Sequence, residues 1–476
     1  MGTFYVENFG CRATQADGAA IEQQFRERGL DRASHLSSAE IVVFNTCTVT
    51  AAADQDARAA IRRLHRENPS CQIVVTGCYA QRAPEEVAAL PGVTQVVGNS
   101  HKHALAKIAY PFLTSAQSST YPQIGTAVAE FPPQQNNFVP LSRLGSAPGT
   151  NDQRLPPDIH VSDIFAHTEL LAAPVFDSSN ERTRPNLKVQ DGCDNRCSFC
   201  VIPHVRGQSR SLPLSRIISE VNALVAAGYR EVVISGINLG RWGRDLVNDG
   251  LATEAHRLES LVRAILAQTS LEKLRISSVE PMDWSDDLID IVATSPRIAK
   301  HAHVPLQSGS DRILRLMHRK YRPWHYEEKV RKIRAALPSA AIGADVMVGF
   351  PGETDSDFDE TCRLVESLPF TYLHVFTYSA RPGTPATDMP HHVPVKIARD
   401  RNRILRELAS LKKLSFMQSF VGKSIEAITL NPYDGEYTEA LTENYLKLKI
   451  AGRHDANRWI KRNVTAVVNG TLLSQG

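Results

Sequence analysis

At 476 residues the chain is too long for one ordinary hydrophobic core, so two to four domains are expected. Apolar residues make up 42% and charged residues 22%, which excludes a disordered or fibrous chain, and the net charge of +3 leaves only local patches for nucleic-acid binding. No run of eighteen apolar residues occurs, and the opening Met1-Gly2-Thr3-Phe4-Tyr5 leads into a strand-like segment, so a cytoplasmic location without membrane contact is expected.

In chain order, short apolar strands are predicted at 3–8, 41–45, 72–76 and 93–97, with helical patterns at 19–28 and 51–66. That alternation reads as βαβ units on a parallel sheet, an α/β domain over 1–107. A linker or insertion spans 108–182, and its 111–157 stretch is rich in Ser, Pro, Gln, Asn and Gly without periodicity. Over 183–415 six strands are predicted, at 186–190, 231–235, 273–277, 302–306, 342–348 and 372–378, with helices between them. Six βα units form a closed or partly closed (β/α)6 barrel. A basic helix at 396–413 leads into 416–476, where glycines separate short β-like runs and a small all-β barrel is expected.

Eight cysteines stand at 11, 47, 71, 78, 193, 197, 200 and 362. A reducing compartment makes disulfides unsuitable, so the spacing asks for metals. Asp191-Gly192-Cys193-Asp194-Asn195-Arg196-Cys197-Ser198-Phe199-Cys200 follows the first barrel strand, at the face where barrels keep active sites. Three thiolates so close can hold three irons of a [4Fe–4S] cube and leave the fourth open. A zinc knuckle with His204 as fourth ligand is the alternative. Cys11, Cys47 and Cys78 each follow a predicted strand end, 36 and 31 residues apart, one βα repeat each. Strand ends of an open α/β sheet converge on a ligand crevice, so these thiols can hold a second open cluster. Cys71 and Cys362 read as small core hydrophobes.

The Cys193 loop, with Phe199 before its last cysteine, resembles the radical S-adenosylmethionine superfamily. Asn45-Thr46-Cys47-Thr48-Val49-Thr50, Thr76-Gly77-Cys78-Tyr79-Ala80-Gln81, His303-Val304-Pro305-Leu306-Gln307-Ser308-Gly309-Ser310 and Val348-Gly349-Phe350-Pro351-Gly352-Glu353-Thr354 extend the resemblance to the methylthiotransferase family, over nearly the whole chain outside 111–157. The resemblance implies a flavodoxin-like first domain, a radical barrel and a TRAM-like RNA-binding tail. It implies two [4Fe–4S] clusters and S-adenosyl-L-methionine. The partners it implies are tRNA and a reducing protein such as flavodoxin or ferredoxin, for a chain acting as a monomer. One S-adenosylmethionine would give a methyl group to sulfur held at the Cys11, Cys47 and Cys78 cluster. A second would give the radical that strips hydrogen from an aromatic carbon.

Cofactor contacts are expected from Phe199, Gly236, Asn238, Gln307, Ser308 and Gly309, with ordinary turn chemistry as the alternative for those at strand ends. Asp345 is the candidate catalytic group, pointing into the barrel or held in an ion pair. Basic clusters at Arg58, Arg62, Arg63 and Arg66, at Arg315, Arg319, Lys320 and Arg322, and at Arg399, Arg403 and Arg406 mark RNA contacts or solvated faces. Tyr433, Tyr437 and Tyr445 stack on bases or pack the tail core. Two departures from the family pattern are the Cys11-Arg12-Ala13-Thr14-Gln15 loop and the length of 111–157. The run from Asn45 to Asp54 is closest to the branch acting on N6-threonylcarbamoyladenosine at tRNA position 37. N6-isopentenyladenosine in tRNA and a ribosomal-protein aspartate are the other substrates the family allows, and a non-catalytic iron–sulfur RNA binder is a further alternative. A threonylcarbamoyl group carries a carboxylate, for which Arg12 or Arg206 could supply the cation.

Overall fold

The computed structural model describes residues 2–111, 156–167, 170, 184–246 and 256–475, so most of the expected insertion lies outside the described residues. Strands β1 (Thr3–Asn8), β2 (Asp31–Arg32), β3 (Ile41–Thr46), β4 (Gln72–Gly77), β5 (Val93–Val97) and β6 (Asp158–His160) form one parallel sheet in the order β2-β1-β3-β4-β5-β6. Every residue of β3 is buried, because successive side chains alternate between two covered faces. Ile41 and Val43 meet Ile21 and Phe25 of the helix Arg12–Glu27, whereas Val42 and Phe44 meet Ala57, Ile61 and Leu64 of the helix Ala51–Glu67.

Two features differ from the sequence expectation. The first helix begins at Arg12 and not at 19, because Thr14 and Asp17 in its first turns are buried polar residues that face the barrel. Residues 158–160, expected within the linker, pair with β5 and add a sixth strand, three residues being too few for a periodic signal.

The second domain has β7 (Asn186–Asp191), β8 (Arg210–Ser211), β9 (Glu231–Gly236) and β10 (Lys273–Ile276) in one sheet. A second sheet holds β11 (His301–His303), β12 (Ala341–Val348) and β13 (Tyr372–Thr377). Parallel bridges Leu274 to Ile298 and Ser278 to His303 join the two sheets into one arc of six parallel strands. The arc is a partial barrel, and the helix Arg12–Glu27 of the first domain lies against β7 at its open side.

After the helix Val395–Gln418, the tail forms β14 (Ser424–Tyr433), β15 (Tyr437–Thr442), β16 (Lys447–Ala451), β17 (Trp459–Asn463), β18 (Ala466–Val468) and β19 (Thr471–Ser474). They make one sheet, mostly antiparallel, around Ile425, Ala427, Leu448 and Ile450. It docks where barrel strands begin: Asn444 donates to Ser339 O at 3.1 Å, just before β12, and Asn457 to Gly228 O at 2.8 Å, just before β9. Among the described residues no helix is long and apolar enough to cross a membrane.

Candidate functional site

Cys11, Cys47 and Cys78 stand at the C-terminal ends of β1, β3 and β4, neighbours in the parallel sheet. Burial, then the neighbouring Cys78 and Cys11, which lie close enough to repel it as a thiolate, pushes the Cys47 thiol up to about 12. Gly10 makes the approach feasible. Its φ is +102°, and a Cβ there would lie 2.8 Å from the Cys47 sulfur. Asn99 Nδ2 reaches the Cys78 sulfur at 3.6 Å and donates to Val205 O at 2.7 Å, tying this thiol to the helix Ile202–Arg206. For the second cluster expected on these three cysteines, Gly10→Ala should lower the bound iron by more than half, read by iron analysis of a chain in which Cys193, Cys197 and Cys200 are Ala.

Cys193, Cys197 and Cys200 lie in the loop after β7. The Asn195 backbone N–H and Asn238 Nδ2 approach the Cys193 sulfur at 3.4 and 3.6 Å, and Arg319 Nη1 approaches Cys197 at 3.3 Å. Burial, then the neighbouring Cys197, pushes the Cys200 thiol up to about 12. Donors aimed at sulfur stabilise thiolates, and a bound metal deprotonates a coordinating thiol outright, so this donor set fits iron. His204, the fourth ligand a zinc knuckle would need, is exposed.

Between the two thiol groups runs a buried charge network. Asp17 accepts from Lys188, from Lys102 at 3.0 Å and from Arg206 at 2.9 Å, while Asp191 accepts from Arg206 and Lys188, each at 2.8 Å. Arg206, one of the two candidates for a substrate cation, is committed to these two carboxylates. That corrects the expectation.

A cavity of about 430 Å³ opens inside the barrel. Cys11 and Arg12 form one wall, and Ser235, Gly236 and Ser277 from the ends of β9 and β10 another. Opposite them stand His301, His303, Asp345, Tyr372 and His374, and the tail contributes Tyr445. His303 Nε2 lies 3.4 Å from Asp345 Oδ1, so Asp345 both lines the cavity and faces a histidine. His301 Nε2 is 2.7 Å from the Tyr372 hydroxyl. Burial and then the Arg275 charge hold His301 well below its usual range, as a neutral imidazole. Beyond the motif that begins at His303, no sequence argument singled out His301, Tyr372 or His374. The available signal was polar alternation, His-x-His and Tyr-x-His, within strands otherwise apolar.

The other expected contacts divide. Gly236 lines the cavity, and Asn238, whose amide meets Cys193, has a buried Oδ1 with no partner among the described residues. Phe199 packs edge-on against Phe350 at 6.4 Å. Gln307, at φ +65°, donates its N–H to Asp345 O at 2.8 Å. Ser308 and Gly309 lie instead against the helix Asp355–Ser367. Ser308 Oγ is 3.4 Å from Thr361 Oγ1, and a Cβ on Gly309 would sit 2.5 Å from Thr361 Cα. Their surroundings are those of a packed turn. Of the basic clusters, Arg319 is buried against Glu280 and Cys197, while Arg399, Arg403 and Arg406 line a shallow groove on the helix Val395–Gln418.

Residues 3–98 match the model of "Uncharacterized protein family UPF0004", and residues 187–365 that of the radical SAM superfamily. The chain is 34% identical to the threonylcarbamoyladenosine tRNA methylthiotransferase MtaB of Aquifex aeolicus, covering 96% of this chain and 98% of that one. It is 32% identical to the tRNA-2-methylthio-N(6)-dimethylallyladenosine synthase of Novosphingobium aromaticivorans, covering 90% and 86%. Among solved structures, the radical S-adenosylmethionine methyltransferase TsrM of Kitasatospora setae is similar with a TM-score of 0.53 at 15% identity, covering 81% of this chain and 75% of that one, a likeness of fold. Identity at this level, sustained across both matched domains and the tail, means that the chain belongs to the radical S-adenosylmethionine methylthiotransferase family, enzymes that work with a [4Fe–4S] cluster and S-adenosylmethionine.

Proposed function

We propose that this chain attaches a methylthio group to N6-threonylcarbamoyladenosine at position 37 of tRNA. One [4Fe–4S] cluster would sit on Cys193, Cys197 and Cys200 and a second on Cys11, Cys47 and Cys78. The reading rests on one observation above the rest: Cys11 of the first domain and the strand ends of the barrel share a single cavity. Bound clusters and S-adenosylmethionine would supply the methyl group, the sulfur and the radical needed to open an aromatic C–H bond that no general base can ionise. The chain's own residues orient and exclude. Asn238 and Arg319 donate to the thiolates, His301 stays neutral, and Asp345 with His303 offers a polar wall for the base. Arg12 is the cation of the cavity wall, placed to meet a carboxylate. Walls bearing three histidines, an aspartate and an arginine suit a charged substituent better than an isopentenyl group, which wants an apolar slot. The exposed Tyr433 and the groove of Arg399, Arg403 and Arg406 would take up RNA, and a flavodoxin or ferredoxin would deliver the electron.

The test incubates the reconstituted enzyme with tRNA bearing each modification and scores methylthio nucleosides by mass spectrometry. A preference of at least ~100-fold for the threonylcarbamoyl substrate is expected. Turnover of the isopentenyl substrate alone would overturn the substrate reading and leave the family standing.

A further inference from the structure

The tail does more than dock under the barrel, because one of its side chains enters the cavity. Tyr445 has φ +67°, a left-handed conformation that a residue with a side chain adopts only when its surroundings compel it. Here they do. The Tyr445 N–H donates to Thr442 O at 3.0 Å, the Leu446 N–H to Thr442 Oγ1 at 2.8 Å, and Thr442 Oγ1 to Asn444 Oδ1 at 2.6 Å. The turn is pinned to the barrel by Asn444 on Ser339 O and by Arg275 Nη1 on Glu443 O at 3.0 Å. This geometry buries Leu446 in the tail core and turns the neighbouring ring outward, into the cavity between His301 at 5.2 Å and Tyr372 at 6.1 Å.

At that position the Tyr445 hydroxyl accepts a hydrogen bond from Arg12 Nη2 at 3.2 Å, across 433 residues of chain. Arg12 opens the helix that follows Cys11, whose first turn carries no acid to neutralise it, and Asn186 Nδ2 holds its carbonyl at 3.3 Å. The nearby Arg275 is already matched by the buried Glu231 at 2.5 Å. A guanidinium has five N–H donors, so the tyrosine orients Arg12 and leaves a fork of donors for an anion.

We infer that Tyr445 is a positioning residue for Arg12, and that this pair, one member from the first domain and one from the tail, selects an adenosine whose N6 substituent ends in a carboxylate. The inference rests on the proposed function, which supplies that substrate class. It makes the tail domain part of the specificity site as well as an RNA contact.

The experiment compares the full-length holoenzyme with Tyr445→Phe and Arg12→Lys on anticodon stem-loops carrying N6-threonylcarbamoyladenosine or its neutral methylamide. Wild type is expected to favour the carboxylate by ~30-fold in kcat/KM, and Tyr445→Phe to cut that to ~3-fold through KM, with kcat, iron content and affinity for unmodified stem-loop unchanged. Arg12→Lys keeps the charge, loses the fork, and should fall as far. Tyr445→Phe with undiminished discrimination, or with equal loss on every RNA, would overturn this inference alone. Wild-type turnover of only an isopentenyl stem-loop would bring down both it and the substrate reading.

Discussion

Replacing Cys193, Cys197 and Cys200 together by alanine is expected to cut the iron of the anaerobically reconstituted protein from about eight atoms per chain to about four, and to abolish 5′-deoxyadenosine formation altogether. Replacing Cys11, Cys47 and Cys78 should remove the same amount of iron while sparing 5′-deoxyadenosine and ending methylthio transfer. The asymmetry follows from placement. The first trio lies on the loop after β7, where Asn238 and Arg319 converge on its sulfurs. The second trio lies on three strand ends of another domain and meets the barrel through Cys11 at the cavity and Cys78 against Val201 and Val205. Two sites on separate elements should load independently, so iron content and product formation separate cleanly. One zinc and no iron in the wild type would refute the assignment of both sites.

The second large effect is expected at Asp17. Its carboxylate faces Lys102, Lys188 and Arg206, all buried, and Asp191 is the one other carboxylate that pairs with these cations among the described residues. Asp17→Asn keeps the shape but leaves three cations against one anion away from water. Breaking a buried pair this way costs about 3–5 kcal/mol, a large part of the roughly 5–15 kcal/mol by which a domain is stable. A fall in the apparent melting temperature is expected, with early proteolysis between first domain and barrel, because Asp17 belongs to one and Lys188 to the other. The pH dependence gives a second check. Burial alone would raise the Asp17 carboxyl, but Lys102, Lys188 and Arg206 outweigh it and hold the group well below the usual carboxylate range. A depressed carboxyl contributes stability above its unfolded value, about 3.9, and loses it as pH falls toward the folded value. The gap in melting temperature between wild type and Asp17→Asn should therefore be full at neutral pH and narrow below about pH 4. A gap that stays constant down to pH 3 would contradict this account.

The two cysteine trios were legible from the sequence because each rests on a local rule. A three-residue and a two-residue gap keep Cys193, Cys197 and Cys200 in one loop whatever the rest of the chain does. The 36- and 31-residue gaps place Cys11, Cys47 and Cys78 at equivalent ends of parallel strands, because one βα repeat returns the chain to the same edge of the sheet. The six barrel strands were legible for a similar reason, since apolar runs of strand length between amphipathic helices leave few alternatives. What the sequence could not decide was pairing at a distance. Arg12, next to Cys11, and Arg206, shortly after Cys200, look alike in sequence, yet Arg206 is consumed by Asp17 and Asp191 and Arg12 opens on a cavity. His301 and His303 come from β11 and His374 from β13, and only the register of β11, β12 and β13 turns them to one interior. Tyr445 reaches that interior through a left-handed turn and the docking of a whole domain under the barrel. Local propensity carries no information about either, because the energy that selects them comes from burial and hydrogen bonds between residues more than a hundred positions apart.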